Sequence, residues 1–364
     1  MSQRIQRPMG SDYLQWAKTQ THARFNLTYS GVPFLPLREL PVSLDDLELS
    51  GSGAYGWAPL QQAIADRYRV PVESVVAAAG TSMANHLAMA ALLGPGDEVL
   101  MEHPTYEPLL AVARYVGATV VPFARRAADG FSVDPDEVAR LASPRTRLIV
   151  LSNLHNPSGA LTDDDTLRAL AEIAERVDAH VLVDEVYLDA LWEEPPRTSF
   201  HLGPRFVVTS SLTKVYGLNG LRCGWILAEP GLAARLWRLN ELFSNINAHP
   251  AERLSVIAFQ HLPSIAARAC ALLDANGAAL NAFYRTRADL EVMEHCHGTV
   301  SFPRLREGSV DALCGLLLER YETMVVPGAF FGMEDHFRIA LGVAPAVLAE
   351  GLNRLGAALG DLAQ

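Results

Sequence analysis

The sequence predicts an α/β protein with a three-layer α/β/α large domain around a mainly parallel sheet, and a smaller α+β domain. Two observations support this prediction. Short, continuous apolar runs alternate with helical patterns over the first two thirds of the chain, as expected for strands buried on both faces. After about residue 230, long Ala/Leu/Arg-rich helical patterns dominate. Repeated strand–helix–strand units are typical of a parallel sheet covered by helices.

The elements follow one another in a regular order. Apolar runs predict strands at 75–79, 98–101, 119–123, 147–151, 180–183, 206–209 and 225–228. Helical patterns between them lie at 82–93, 105–116, 134–142 and 163–177. The first helical pattern runs to Gly94-Pro95-Gly96, which is a strong stop signal. The later part of the chain has helical patterns at 231–245, 251–290 and 343–361, with β-type pieces at 298–305 and 335–341.

The change of pattern predicts two domains. Residues 41–245 hold the alternating runs and are expected to form the large domain. The first forty residues contain several prolines and lie outside the alternation, so we expect them to fold back onto the later part of the chain. Residues 1–40 and 246–364 are therefore predicted to form the small domain together. A chain of 364 residues is long enough for two such domains.

Composition argues against several classes of function. A formal net charge of −11 and a pI near 5.5 disfavour a nucleic-acid partner and an anionic membrane surface. The N-terminus lacks the apolar core of a signal peptide and no apolar run is long enough to span a bilayer, so a cytoplasmic protein is expected. The four cysteines form no C-x-x-C pair and the histidines show no ligand spacing, so no metal site is expected.

Polar residues follow four of the predicted strands at their carboxyl ends. The segments are Gly80-Thr81-Ser82, Asn156-Pro157-Ser158-Gly159, Asp184-Glu185-Val186-Tyr187, and the residues around Lys214. Ligands of open α/β sheets collect at this edge. Each segment alone has an ordinary structural explanation, as a helix cap, a turn or a solvated charge. Four such segments at one edge instead favour a common binding site.

The chemistry of these segments is complementary. A helix N-terminus at Gly80-Thr81-Ser82 offers N–H groups to a phosphate, and a buried Asp184 favours a protonated ring nitrogen. Asn156 and Tyr187 can both donate to one oxygen. A partly desolvated Lys214 has the chemistry to form an imine with an aldehyde. A phosphate, a ring nitrogen, a ring oxygen and an aldehyde together describe pyridoxal 5′-phosphate.

A family resemblance rests on several motifs in order. Ser211-Leu212-Thr213-Lys214, followed by Gly217-Leu218, Gly220-Leu221-Arg222 and Gly224, resembles the lysine signature of class I/II aminotransferases, which are pyridoxal-phosphate enzymes of fold type I. The segments GTSMA, HNPSGALT, DEVY and FRIALG are similar to further landmarks of that family, in the same order. The resemblance runs from about residue 25 to near the C-terminus.

The resemblance implies a role for each site residue. Lys214 would hold the cofactor as an internal aldimine and later move the proton, and Asp184 would pair with the pyridinium nitrogen. Asn156 and Tyr187 would hold the phenolic oxygen. The phosphate would be bound by Gly80, Thr81, Ser82, Ser211 and Arg222. Tyr106 would stack on the ring, Arg338 would grip the substrate α-carboxylate with help from Asn156 and Gly31, and Tyr55 would reach the phosphate of the neighbouring subunit in a homodimer.

The predicted function is a pyridoxal-phosphate-dependent aminotransferase that moves an amino group between an amino acid and a 2-oxo acid by a ping-pong mechanism. One alternative keeps the fold and cofactor: a lyase, decarboxylase or cyclising synthase acting on an amino acid. A carboxylate grip by Arg338 disfavours direct decarboxylation. A second alternative is the effector domain of a transcription regulator, which would need an N-terminal DNA-binding module for which this chain has no room.

The substrate side chain is not specified by these motifs. Its pocket is expected to come from the N-terminal segment, from the partner subunit and from around Asn247; the N-terminal candidates are Tyr13, Trp16, Phe25, Asn26 and Gly31. No second arginine for a dicarboxylate is evident, which favours a neutral or unusual amino acid. The run Gly51–Gly56 fits G-x-G-x-x-G, but no buried strand precedes it and Pro59 delays the helix, so a loop near the dimer interface is expected rather than a dinucleotide site.

Overall fold

The computed structural model of the chain describes residues 8–51 and 54–362. Two residues of the Gly51–Gly56 run, Ser52 and Gly53, lie outside the described residues. The α-helices are α1 (Asp12–Thr19), α2 (Ala58–Tyr68), α3 (Thr81–Leu92), α4 (Glu107–Tyr115), α5 (Pro135–Leu141), α6 (Asp164–Arg176), α7 (Pro230–Asn240), α8 (His249–Gln260), α9 (Leu262–Tyr284), α10 (Val310–Tyr321) and α11 (Pro345–Leu362).

The β-strands include every run that the sequence predicts for the main sheet. They are β1 (Phe25–Asn26), β2 (Val75–Ala79), β3 (Glu98–His103), β4 (Thr119–Ala124), β5 (Thr146–Ser152), β6 (His180–Asp184), β7 (Phe206–Ser211), β8 (Cys223–Leu227), β9 (Leu290–Glu291), β10 (Val300–Ser301), β11 (Arg304–Leu305), β12 (Thr323–Met324), β13 (Val326–Pro327) and β14 (Phe337–Ala340).

The central sheet has seven strands in the order β2-β8-β7-β6-β5-β3-β4. Strand β8 is antiparallel to both of its neighbours, and the remaining pairs are parallel. The carboxyl ends of β2, β5, β6 and β7 therefore meet at one edge, and so does the beginning of β8. This reversal brings Arg222, directly before β8, to the same edge as Lys214.

Side chains of the central strands alternate between two cores, which gives the three layers. In β5, Leu148 and Val150 pack into a core with α2, α3, α4 and α7, whereas Ile149 and Leu151 pack into a core with α5 and α6. Helix α6 illustrates the sequence logic. Its N-cap Asp163 accepts from the Thr166 amide, and its buried face spaces leucines and isoleucine at helical intervals. The predicted α/β/α layering is confirmed.

A third core holds the smaller α+β part. Helices α9, α10 and α11 pack around β14, and the strand order β10-β14-β13 forms its largest sheet. The N-terminal segment joins this core, because β1 pairs with β12 and Leu27 is fully buried there. The N-terminal segment thus contributes to the smaller part, as expected. The division into 41–245, and 1–40 with 246–364, stays a prediction.

The later helices differ from the sequence prediction in their ends. The pattern at 251–290 forms two helices, α8 and α9, which meet at His261 with a bend of 73°. Pro263 lies in the first turn of α9, where its missing N–H costs nothing, but it cannot continue α8. Helix α7 ends at Asn240 rather than 245, in a run of turns. Helix α1 was not predicted. Helix α2 begins at Ala58, so the expectation that Pro59 delays this helix was wrong: Pro59 lies in the first turn, where its missing N–H is tolerated.

No single helix in the described part of the chain is long and apolar enough to cross a membrane. The bent pair α8–α9 passes that test, by length and composition only.

Candidate active site

A cavity opens at the carboxyl edge of the central sheet. The predicted residues that line it are Thr81, Ser82, Tyr106, Asn156, Asp184, Tyr187, Ser211, Lys214 and Arg222. Asn85, Ser152, Val186 and Thr213 complete its described walls. Segments far apart in sequence therefore meet at one edge, as the strand order requires.

One end of the cavity is built to hold an anion. Gly80 caps α3 with a φ of +81°, and a Cβ at this position would lie 2.4 Å from an Nη of Arg222. Only glycine combines that backbone conformation with this close approach. The Thr81 hydroxyl donates to the Ser211 hydroxyl at 2.8 Å. A helix N-terminus, two hydroxyls and a guanidinium converge here, which matches the needs of a phosphate.

Asp184 lies on the floor of the cavity and is buried. Burial raises the pKa of its carboxyl to about 6, although a hydrogen bond from Asn85 opposes the shift. Asn85 Nδ2 donates to Asp184 Oδ2 at 2.8 Å, and Thr209 donates to Asn85 Oδ1 at 2.6 Å. The Thr209 bond fixes the amide so that its NH₂ group faces the carboxyl. A cation placed against Asp184 would offset the cost of this buried charge.

Lys214 reaches the cavity from the loop that follows β7. Burial and the nearby Arg338 guanidinium lower the pKa of its amine to about 8, against the attraction of Asp184. Its Nζ donates to Ser30 Oγ at 3.2 Å and lies 4.9 Å from the centroid of the Tyr29 ring. An amine with this pKa is partly neutral near physiological pH, which a nucleophilic amine requires.

Arg338 approaches the cavity from the smaller part of the molecule. Its neighbours in β14, Phe337 and Ile339, face the core, so strand alternation directs Arg338 to the other side. Arg338 is fully buried, and it donates to Asn156 Oδ1 at 2.9 Å and to the Tyr13 hydroxyl at 2.8 Å. Its Nε is buried without a hydrogen-bond partner among the described residues. A carboxylate bound against this guanidinium would supply the missing acceptor.

A buried network supports the Asn156 loop from below. The backbone N–H of Asn156 donates to Ser152 Oγ at 3.0 Å, and the Ser152 hydroxyl donates to Glu102 at 2.6 Å. Glu102 in turn pairs with Arg125 at 2.8 Å, and both side chains are fully buried. The Asn156 loop is therefore held by hydrogen bonds that end at the buried Glu102–Arg125 ion pair, not at solvent.

The family assignment follows from comparison with known proteins. Residues 48–355 match the family model of the class I and II aminotransferases. The chain belongs to this family.

Individual members are similar over nearly the whole chain. Capreomycidine synthase of Streptomyces vinaceus is 32% identical over 326 residues, which cover 88% of this chain and 84% of the synthase. Arginine–pyruvate transaminase of Pseudomonas aeruginosa is 31% identical over 360 residues, covering 90% and 87%. Among solved structures, the PLP-dependent cyclase OrfR is 26% identical with a TM-score of 0.87, covering 99% of this chain and all of the cyclase.

These findings confirm the predicted family, fold type and enzyme class. The protein is a pyridoxal-phosphate-dependent enzyme of the class I and II aminotransferases, and the prediction of aminotransferase function is confirmed at this level. The residues present fit the cofactor, since the cradle at Gly80 and the buried Asp184 supply an anion site and a partner for a ring cation. The role of each site residue stays a prediction.

Four predicted residues of this aminotransferase-family chain lie outside the cavity wall: Arg338, described above, and Gly31, Gly80 and Tyr55. Gly31 is buried next to Tyr29, whose ring lies 2.9 Å from where a Gly31 Cβ would be. Gly80 lies behind the wall, at the start of α3. Tyr55 is half exposed, donates to Glu241 and lies against Trp237, away from its own cavity. Its predicted contact is with a partner subunit, which the chain alone does not test.

Sequence reasoning assigned no role to four residues of the cavity wall, Asn85, Ser152, Val186 and Thr213, nor to Ser30, which contacts Lys214. Asn85 lies four positions after Thr81, so both project from one face of α3; this helical spacing is a signal that could have revealed it. Ser30 lies 184 positions from Lys214, which it contacts, and no local pattern indicates that contact. In residues 8–51 and 54–362, no group of three or more His, Cys, Asp or Glu side chains could hold a metal ion.

Proposed function

We propose that the protein transfers the amino group of an amino acid to a 2-oxo acid in two half-reactions, with Lys214 as the residue that binds the cofactor aldehyde. The observation that carries this proposal is the position of Lys214 Nζ. It faces a cavity that has an anion cradle at one end and the buried Asp184 on its floor. Pyridoxal 5′-phosphate, when bound, supplies an aldehyde and a ring that withdraws electrons from the substrate α-carbon.

The proposal gives each of the following site residues a task. Thr81, Ser211 and Arg222 bind the phosphate, and Asp184 keeps a proton on the ring nitrogen. The neutral Lys214 Nζ would take the proton from the substrate α-carbon and later return it. Arg338 orients the substrate carboxylate, where a planar guanidinium suits two oxygens. Tyr106 lines the cavity with aromatic surface that excludes water, and Tyr13 packs edge-on against it from outside.

We propose a donor without a second carboxylate. Among the described residues lining the cavity, the cations are Lys214 and Arg222, and both have tasks in this proposal. Arg338, beside the cavity, is assigned to the α-carboxylate. The similarity to an arginine–pyruvate transaminase adds donors with a cationic side chain to the neutral ones.

A titration with a panel of amino acids tests this function. Alanine, glutamine, ornithine, arginine and aspartate are each mixed with the cofactor-loaded enzyme without acceptor, and the visible spectrum is followed. We expect a neutral or cationic donor to convert the bound cofactor to its aminated form with one equivalent of 2-oxo acid, and pyruvate to reverse the change. A response to aspartate alone would contradict the proposed donor class.

A cyclising synthase is the second candidate function. The similarity to capreomycidine synthase, and to a PLP-dependent cyclase over the whole chain, favours it. The same titration separates the two candidates. A cyclase would consume its amino acid without aminated cofactor and without 2-oxo acid, and mass spectrometry of the product would show loss of water or ammonia from the substrate.

We also propose a cytoplasmic homodimer in which Tyr55 contacts the phosphate of the neighbouring site. Exposed apolar side chains support a contact surface. Leu242 and Phe243 directly follow Glu241, to which Tyr55 donates, and Leu44 and Leu49 precede Tyr55 in the sequence. Sedimentation at micromolar concentration is expected to give a mass of about twice the 39.6 kDa of one chain. Tyr55→Phe is expected to weaken cofactor binding about tenfold, the loss typical of one hydrogen bond to a charged group. A monomer with full cofactor affinity would contradict the proposal.

A further inference from the structure

Ser30 occupies a position that connects two residues of the catalytic centre. Its Oγ accepts a hydrogen bond from Lys214 Nζ at 3.2 Å and another from the Tyr187 hydroxyl at 2.8 Å. Ser30 is only 4% exposed. Two donors that approach one buried hydroxyl oxygen use both of its lone pairs. The lysine and the tyrosine are therefore joined through a single atom.

The backbone around Ser30 is fixed to the lysine loop and to the smaller part of the molecule. The Val32 amide donates to the Lys214 carbonyl at 2.8 Å, which aligns the two segments. Thr299 Oγ1 donates to the Ser30 carbonyl at 2.7 Å. Behind them, a Cβ at Gly342 would lie 1.9 Å from the Gly31 carbonyl oxygen, so the segment is packed without space. Ser30 thus has little freedom to leave Lys214.

We propose that Ser30 is a positioning residue of the active site, which holds the Lys214 amine toward the cavity and couples it to the Tyr187 hydroxyl. The proposal rests on the role proposed above for Lys214. Ser30 provides an acceptor for the ammonium form, which favours that form over the neutral amine. The groups that also face the amine are Arg338, Asp184, Arg222, the Tyr187 hydroxyl and the Tyr29 ring.

Removal of the Ser30 hydroxyl has a defined consequence for Lys214. The Arg338 and Arg222 guanidiniums disfavour a positive amine, and Asp184 favours it. With the Ser30 acceptor gone, the Asp184 carboxylate and the face of the Tyr29 ring would remain to stabilise the ammonium. We expect Ser30→Ala to lower the pKa of Lys214 by about one unit, the effect of a single hydrogen bond to a charged group.

The chain offers an internal reference for the measurement. Its 364 residues contain two lysines, Lys18 and Lys214, and Lys18 is exposed. The full-length chain, freed of cofactor, is labelled with trace acetic anhydride from pH 6 to 11, and mass spectrometry compares the two lysine-containing peptides. The pH profile of Lys214 then gives its pKa, while Lys18 corrects for reagent decay. This readout does not depend on turnover.

Variants separate positioning from simple packing. Ser30→Thr keeps the hydroxyl and is expected to restore the profile, whereas Ser30→Cys keeps the volume, offers a weak acceptor and is expected to shift it as alanine does. Ser301→Ala is the matched control, because Ser301 is 5% exposed and its hydroxyl lies 2.8 Å from the buried Tyr284 hydroxyl. That control is expected to leave Lys214 unchanged.

An unchanged Lys214 profile in Ser30→Ala and Ser30→Cys, or an equal shift in Ser301→Ala, would overturn the proposal. If Ser30→Ala does not fold, Ser30→Cys decides. The outcome is separate from that of the proposed function. If Lys214 binds the cofactor but its profile ignores Ser30, the positioning role fails and the function stands. If Lys214 does not bind the cofactor, the function fails whatever the profile shows.

Discussion

The Asp184 carboxyl lies where its own charge is unfavourable until a cation is bound beside it. Its pKa is raised from 3.8 to about 6 by burial, so the folded chain holds a proton there more tightly than the unfolded chain does. The contribution of Asp184 to the stability of the cofactor-free chain must therefore fall as the pH rises from about 4 to about 6. A protonated ring nitrogen offsets that cost, which is why a binding site can retain such a group.

Asp184→Asn separates stability from binding. The substitution removes the charge, so we expect the cofactor-free variant to be more stable than the wild type at pH 8 by about 1–3 kcal/mol, with the difference vanishing near pH 4. Cofactor affinity should fall about 100-fold or more, because the ring cation loses its buried partner. Denaturant unfolding at both pH values and a cofactor titration measure the two effects. An equal stability change at pH 4 and pH 8 would contradict the account.

Asn85 acts on Asp184 through its amide. Asn85→Ala removes a donor that lowers the pKa of Asp184, so the carboxyl should protonate at a higher pH and bind the cofactor about tenfold more weakly at neutral pH. Thr209→Val keeps Asn85 but removes the bond that orients it, and a smaller loss is expected. Fluorescence titration with cofactor measures both variants. Full affinity in Asn85→Ala would show that Asp184 needs no such support.

At the scale of elements, the site depends on loops held by buried polar groups. The turn that carries Asn156 follows β5. The backbone N–H of Asn156 donates to the Ser152 hydroxyl, which donates to Glu102 in β3, and Glu102 pairs with Arg125 directly after β4. Neither the Glu102 carboxylate nor the Arg125 guanidinium is exposed, so each charge is compensated by the other rather than by water. Breaking such a pair leaves one charge buried without compensation, which costs far more than loss of a surface ion pair.

Glu102→Gln tests that dependence. We expect a loss of about 3–5 kcal/mol in the free energy of unfolding, since Arg125 stays buried and charged. Asp165→Asn is the matched control; Asp165 pairs with Arg168 at the surface, and its removal should cost no more than about 0.5 kcal/mol. Denaturant unfolding of the cofactor-free chain compares them. Similar small losses in both variants would mean that the loop does not rely on the buried pair.

At the scale of the molecule, the sequence predicted the central sheet well because its strands are buried on both faces. Continuous apolar runs such as 206–209 coincide with β7, and similar runs mark its neighbours. The ends of helices were predicted less well. The helical pattern at 251–290 is rich in alanine and leucine on both sides of residue 261, and only Pro263 signals the break between α8 and α9. Helices α1 and α2 lie outside the alternation on which the prediction relied.

The site likewise contains residues that the sequence predicted and residues that it did not. Residues at the ends of strands, such as Asp184 and Lys214, could be predicted because topology alone brings them together. Asn85 and Ser30 could not be found in that way, since their roles depend on side-chain contacts between elements. Ser30 reaches Lys214 from a segment 184 positions away, and the pairing of β1 with β12 holds that segment in place.

The central claim is that Lys214 binds the cofactor, and borohydride reduction tests it most directly. Reduction of the cofactor-loaded enzyme, followed by peptide mass spectrometry, is expected to find the cofactor attached to the Lys214 peptide alone. Lys18→Arg should keep the full label and Lys214→Ala should lose it, a simple comparison in a chain with two lysines. A wild-type enzyme that carries the label on Lys18, or carries none after reduction, would contradict the account.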